Sequence, residues 1–356
     1  MELIGLDKDF CVVAYIPYLN LQWRRRYYRY GEFSLQIVAK DYSKEIRYIY
    51  SQSRPELGMV EKIEFTRTAS GDFVQMSGAF FEKILDNHYT YPPIKEKLTL
   101  KAMADKVLTH EWYKPLSHTI AVSSTVPTDI SVDIDWQSKK IGESLYSTLK
   151  PLEMGWRIRY NADNDALAFE TWQGLDRTQE QRENEWALFA DDSVNTVSFS
   201  YTQDESQYKN HALIFYGRQS SGYPYRYDYS LTHDPYEGRR MLLLNMDDDL
   251  TTEQRIEKAK EELAKYKVSL NAKIEVMQVG YLYLTDYDLG DKVNVACHTL
   301  GHAFSSRIEE VDEIFKNGTH TVKLVIGELE KTVYQQVARY ADSAILAKHT
   351  PIVTIP

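Results

Sequence analysis

The chain has 356 residues, 43% of them hydrophobic, enough to bury about three quarters of its unfolded surface without help from disulfides or metals. Its two cysteines, Cys11 and Cys297, exclude a disulfide scaffold, and its net charge of -10 disfavours a surface built to follow a phosphate backbone. No stretch supplies the ~18 uncharged apolar residues of a membrane helix, and the acidic start MELIGLDKDF lacks a signal-peptide pattern, so folding in a cytoplasm without membrane insertion is expected.

Length points to about two domains on a prior of roughly 150 residues each. Tyrosine is the compositional outlier, 27 residues against 16 glycines, which favours strands and more than one contact surface. Residues 1–94 read as strands. FCVVAYI is a compact apolar run, and GEFSLQIVA sets Phe33, Leu35 and Ile37 against Ser34, Gln36 and Val38. EIRYIYS and GMVEKIEFTRT repeat that period, and Ser70 to Asp72 is a turn before FVQMSGAFF. Short strands so closely spaced predict a small barrel or sandwich.

The period then changes. Leu100, Met103, Ala104, Val107 and Leu108 predict a helix between Leu98 and Glu111 with Thr99 as its N-cap. Ile141, Leu145 and Leu149 predict a second, stopped by Pro151. WRIRY and ALAFETW, joined by NADND, predict a β-hairpin, so 95–185 reads as a small α/β insert. Strands return with NTVSFSY and NHALIFYG, followed by a Tyr-rich loop, SSGYPYRYDYS. TTEQ predicts a capping box of Thr251 and Gln254 on a helix running to Tyr266. AKIEVMQVGYLYL and DKVNVAC then flank YLTDYDLG, and Asn317-Gly318 joins SRIEEVDEIF to THTVKLVIG as a primed-turn hairpin. A helix and tail are expected over 331–356.

Four stretches offer candidate chemistry. Asp247 to Asp249 are oxygen ligands for a cation, or the acidic approach to a helix start. Cys297, His298 and His302 are zinc-type ligands, but three local ligands fall short of four, and a polar loop is the plainer reading. Trp23 to Tyr30, WRRRYYRY, mixes arginine with aromatics as a nucleic-acid platform does; interface anchors or a solvated face fit the acidic total better. Tyr223 to Tyr229 could stack on sugars, chiefly through Tyr225 and Tyr227, or form a protein contact. No GxSxG, GxGxxG or GxxxxGK[ST] motif is present, and no carboxylate pair can be singled out for glycoside cleavage.

Taken in order, MELIGLDKDF, WRRRYYRYGEFSLQI, GMVEKIEF, FETWQGLDRT, YKNHALI, EGRR, DYDLGDKV and RIEEV make the chain resemble the baseplate hub, or tail-tip, proteins of long-tailed phages and of prophages in Gram-positive bacteria. The resemblance implies an α+β, mainly β fold. Two tail-tube-like β-barrel domains, at 1–94 and 186–330, would be interrupted by the small inserted α/β domain at 95–185 and followed by the tail at 331–356. It further implies a homotrimer whose ring closes the tail tube in the virion. Its neighbours would be the distal tail protein ring, the tape measure protein and tip or fibre proteins, with DNA only in transit. No catalytic, cofactor or metal residue is expected. Only a short tail follows Gly327-Glu328, so any lytic or receptor-binding module is expected on another chain. The alternatives are a cell-wall-cleaving tail enzyme and a host-glycan-binding module. In DYDLGDKV, Leu289-Gly290-Asp291 is expected to turn the chain into Lys292 to Ala296, with Gly290 at an unusual backbone angle and the acids keeping the turn wet. An acidic channel wall would repel DNA phosphates.

Overall fold

The period of two in the sequence is the period of burial in the fold. In Asn20–Arg26 and Glu32–Val38 every second residue is buried and its neighbours are half-exposed. The computed structural model describes residues 1–109, 119–231 and 238–328 and is mainly β. Ten strands join in one sheet: β1 (Asn20–Arg26), β2 (Glu32–Val38), β3 (Lys62–Thr68), β4 (Gly71–Ala79), β5 (Leu188–Ala190), β6 (Thr196–Asp204), β7 (Ser269–Met277), β8 (Lys292–Cys297), β9 (His302–Lys316) and β10 (Thr319–Gly327). Their order is β6-β7-β10-β9-β1-β2-β4-β3, with β8 on β9 and β5 parallel to β8. The expected hairpins β3–β4 and β9–β10 are present, the second turned by Asn317 and Gly318 at φ 52° and 75°.

The inner face of β1, β2 and β4 carries Leu21, Trp23, Phe33, Leu35, Ile37, Val74 and Met76 into one core, where the Trp23 ring lies 4.6 Å from that of Phe80. Further along the same sheet Ala272, Ile274, Val276, Val311, Val322, Leu324 and Ile326 build a second. A third core gathers residues far apart in sequence: Leu6, Phe10, Leu57 and Phe81 pack with α1 (Leu100–Thr109), α2 (Ile141–Leu149) and the hairpin of Gly155–Asn161 with Ala166–Trp172. Both helices and the hairpin match their expected apolar stripes. Thr99 caps α1 by accepting the Ala102 N–H at 3.2 Å, and Glu111 lies outside the described residues.

Strands of the first 94 residues do not form one barrel or sandwich by themselves. Ile4–Leu6, Val12–Tyr15, Tyr48–Tyr50 and Leu57–Met59 make a separate four-stranded sheet, whereas β1 pairs with β9 from the other end of the chain. The physical reason is that β1 has two free edges: Glu32–Val38 fills one, and Glu310–Lys316 fills the other with matched alternation. Among the described residues the order of the large sheet has two ends, β6 and β3, rather than a closure.

Two compact units result, residues 1–200 with the described residues from 272 onward, and residues 201–271. The second holds a three-stranded sheet, Tyr225–Ser230, His211–Tyr216 and Met241–Asn245, with α3 (Thr252–Ala264) on one face. Both halves of the Thr251–Gln254 capping box are made. The Tyr-rich stretch is not wholly a loop. Tyr225–Ser230 is a strand, and Tyr227 and Tyr229 pack on the core of Ala212, Ile214, Ala259 and Leu263, so their rings serve the fold. The tail at 331–356 lies outside the described residues.

One buried acid makes a testable statement about the third core. Glu82 is 3% exposed; it accepts the Ile158 N–H at 3.1 Å, and its second oxygen has no partner. Burial, then the charge of Glu56, pushes its carboxyl from 4.5 up to about 8. Between those two values the unfolded chain has lost its proton and the folded chain keeps it, so stability falls as pH rises, by about 1.4 kcal/mol per unit. Glu82→Gln removes this pH dependence. Urea denaturation should show the variant gaining over wild type from pH 5 upward, by about 3 kcal/mol at pH 7. A gain that does not change with pH would show that Glu82 carries no proton.

Candidate functional site

The outer face of the large sheet carries a band of polar and charged side chains across β1, β2 and β9. On β1, Asn20, Gln22, Arg24 and Arg26 face outward, since Leu21, Trp23 and Arg25 point to the core. Register places Arg24 opposite Glu32 on β2 and Asp312 on β9, and Arg26 opposite Glu310. Arg24 donates to Glu32 at 2.7 Å and to Asp312 at 3.0 Å; Arg26 donates to Glu310 at 2.7 Å and to Glu32 at 3.2 Å. Amides on this face are paired too: Gln22 Nε2 donates to Asp312 at 2.7 Å and Asn20 Nδ2 to Gln36 at 2.9 Å. Beyond them Lys323 meets Glu275 at 3.3 Å, and Lys62 meets Glu64 at 2.7 Å.

At one end of this sheet the edge strand β3 is exposed at all seven positions. Its Ile63 and Phe65, 43% and 59% exposed, sit on one side of the strand, opposite Met76 and Val74 of β4, which are buried. An edge strand leaves one row of N–H and C=O groups free to pair, and apolar residues along it favour pairing further. The sequence showed the alternation but not that β3 would end the sheet.

WRRRYYRY is divided between the two faces of its strand and beyond, with Arg24 and Arg26 outward and partly exposed. Trp23, Arg25, Tyr27 and Tyr28 are buried within the chain. Arg25 Nε donates to Glu56 at 2.7 Å, and its Nη1 reaches Asp288 at 3.2 Å and the Tyr283 hydroxyl. Beside it Arg54 forks onto Glu313, Nε to Oε1 at 2.6 Å, and His320 Nε2 lies 3.2 Å from the same carboxylate. Burial pushes Glu313 up, but the hydrogen bonds from His320 and Arg54 outweigh it and hold the carboxyl below its usual range. Two guanidiniums, of Arg25 and Arg54, can enter a core only where carboxylates meet them.

YLTDYDLGDKV closes the same cluster. Gly290 has φ 94°, as expected of it, and the Asp288 N–H donates to Asp291 at 3.0 Å, closing the turn. The acids do more than keep it wet, however. Asp291 is 3% exposed; it also accepts the Leu175 N–H at 2.8 Å and Arg177 Nε at 2.7 Å, so it ties the GLDR segment to the turn. Tyr283, Tyr287 and Leu289 are buried.

The remaining candidates are structural in their contacts. Arg255 donates to the carbonyls of Asp247 and Asp248 at 3.4 and 3.0 Å, and Asp248 accepts the Gly217 N–H, so this acidic run shapes the approach to α3. Cys297 and His302 are register partners across the β8–β9 hairpin. Of that trio only His298 joins a group with ligand geometry, with Asp191 and Asp192, all ligand atoms within 4.8 Å. Asp191 is occupied by the N–H groups of His298 and Thr299, at 2.8 and 3.1 Å, and hydrogen bonding, led by Thr299, draws it down to about 2.

The profile of the family described as Siphovirus ReqiPepy6 Gp37-like protein matches residues 6–328. No curated protein sequence matches the chain. Among solved structures, the fold is similar to the tail protein from Neisseria meningitidis MC58, with TM-score 0.60 and 13% identity over 92% of this chain and 95% of that one. It is also similar to the 43 kDa tail protein of prophage MuSo2 from Shewanella oneidensis, with TM-score 0.58 and 14% identity over 92% and 98%. A third similar structure is prophage tail protein gp18 from Listeria monocytogenes EGD-e, with TM-score 0.54 and 12% identity over 97% and 100%. At these identities the likeness is one of fold.

Proposed function

Because this chain belongs to the Siphovirus ReqiPepy6 Gp37-like protein family, a family of phage tail proteins, we propose that it is the structural hub of a tail tip, without catalytic activity. Three copies form a ring that closes the tail tube and surrounds the channel for the tape measure protein and DNA. Each copy lends two tail-tube-like domains, from 1–94 and 186–330, which share strands, with 95–185 inserted between them. The ring joins the distal tail protein ring to tip or fibre proteins and is assembled in the host cytoplasm.

The observation that carries the oligomeric reading is the unclosed sheet, whose end strand β3 exposes Ile63 and Phe65 along a free backbone edge. Pairing with a neighbouring copy satisfies those N–H and C=O groups and removes the two side chains from water, worth about 1.5–3 kcal/mol for each fully buried side chain. The mass in solution over a micromolar range tests this. A threefold multiple of 41.5 kDa is expected, returning to the monomer in Ile63→Asp/Phe65→Asp. A monomer at every concentration counts against the ring, and a trimer indifferent to the double variant moves the interface off β3. Release of soluble fragments from peptidoglycan by the pure protein would overturn the non-catalytic assignment.

A further inference from the structure

Net charge alone makes this an acidic protein, but the acid is not spread freely over the outer face of the large sheet. There, Arg24 and Arg26 stand among Glu32, Glu310 and Asp312, two cations against three anions, or one net negative charge. The Glu310 and Asp312 side chains are 14% and 8% exposed, against 29% for Arg24 and 21% for Arg26. Both guanidiniums are held by hydrogen-bonded carboxylates of the neighbouring strands. The flanking amides of Asn20 and Gln22 donate within the face, as does that of Gln75, to Ser34. Lys62 and Lys323 each lie within 3.3 Å of a carboxylate.

We propose that this face is a passivated wall, past which double-stranded nucleic acid moves without being held, and that the device is the internal pairing of its arginines rather than an excess of acid. The proposal rests on the hub reading, which supplies the polyanion. A phosphate gains affinity by neutralising Lys or Arg and releasing counterions. A guanidinium already bonded to two or three carboxylates offers little of that gain, and to capture it the phosphate must break charge-assisted hydrogen bonds in a partly desolvated site. The acidic wall expected from net charge is therefore replaced here by a nearly neutral one. Such a face neither grips the duplex nor depends strongly on salt.

Removing the carboxylates while keeping the arginines tests this directly. Fluorescence anisotropy of a labelled random-sequence DNA duplex at about 0.1 M salt should show no binding by the wild-type chain and at least tenfold tighter association by Glu310→Gln/Asp312→Asn, weakening as salt is raised. Glu180→Gln/Glu261→Gln, which removes the same charge from two exposed acids on other segments, should not gain binding. Adding Arg24→Gln and Arg26→Gln to the first pair should abolish the gain. If Glu310→Gln/Asp312→Asn loses its circular dichroism, Glu32→Gln, whose half-exposed side chain holds both arginines, takes its place. Tight binding by the wild type, equal gains in the control pair, or no gain on freeing the arginines would each overturn the proposal. The measurement is made on the chain in whatever state it adopts, so a monomeric mass would count against the hub without altering this result.

Discussion

Arg54→Met should destabilise the protein by about 3–5 kcal/mol, among the largest losses of any single side-chain replacement in the first unit. The reason is what the change leaves behind. Glu313 has no exposed surface, and Arg54 is its bidentate partner. Without the guanidinium, a buried carboxylate keeps only His320, itself part-exposed, at 3.2 Å. The loss should depend on pH with a defined sign. In the wild type Glu313 titrates below its unfolded value, so its pairing stabilises above that value and is lost as pH falls through the folded one. In Arg54→Met the orphaned carboxyl is pushed upward by burial and escapes its penalty by taking a proton, so the difference from wild type should shrink toward pH 4. Replacing both partners by apolar residues, Arg54→Met with Glu313→Leu, should recover much of the stability, because two buried charges are removed together. Urea midpoints at pH 4, 5.5 and 7 for the wild type and the two variants decide it. A loss independent of pH, or a double variant as weak as the single one, would mean that packing rather than charge dominates.

Gly290→Ala should cost about 2–5 kcal/mol, adding the strain of a positive φ, about 1–2, to that of overpacking, about 1–3. Gly290 stands at φ 94°, and a Cβ there would lie 2.2 Å from Cε2 of Tyr27. That ring has nowhere to go. Its hydroxyl lies 3.0 Å from the carbonyls of Glu153 and Trp172 and accepts the Gly174 N–H at 3.1 Å. Gly174 in turn packs against the backbone of Gly290. Gly301, at φ 68° with open space around its Cα, is the control: Gly301→Ala bears only the backbone term, about 1–2 kcal/mol. Equal midpoint shifts for the two alanines would show that Tyr27 yields, and that the contact does not fix the turn.

Local elements were legible in the sequence because each rests on neighbours a few residues apart. The 3.6-residue spacing of Ile141, Leu145 and Leu149, the reciprocal hydrogen bonds of Thr251 and Gln254, and the left-handed preference of Asn317-Gly318 need nothing from the rest of the chain. The turn at Gly290 was legible for the same reason. The family resemblance drew on the same motifs, read in order. WRRRYYRY was legible only in part: Glu32 is near in sequence, but the other partners, Glu56, Tyr283, Asp288, Glu310 and Asp312, lie 31 to 288 residues away, and one strand cannot announce which carboxylates will reach it. YPYRYDY was misread because a helix 30 residues further on decides that Tyr227 and Tyr229 face inward.

The sequence by itself therefore determined the helices, the hairpins and the turn at Gly290, since those follow from residue period, caps and backbone preference, but not the strands Ser131–Trp136, Tyr225–Ser230 and Met241–Asn245. Only the tertiary structure decided which strands pair, because β1 could have met any strand of matching alternation and met β9. That one pairing brings Arg24 and Arg26 to Glu310 and Asp312 and buries Arg25. It also leaves β3 as an open edge. Charge composition supplied the total of -10; the fold, by setting cations beside anions on one face, decided what a passing polyanion would meet.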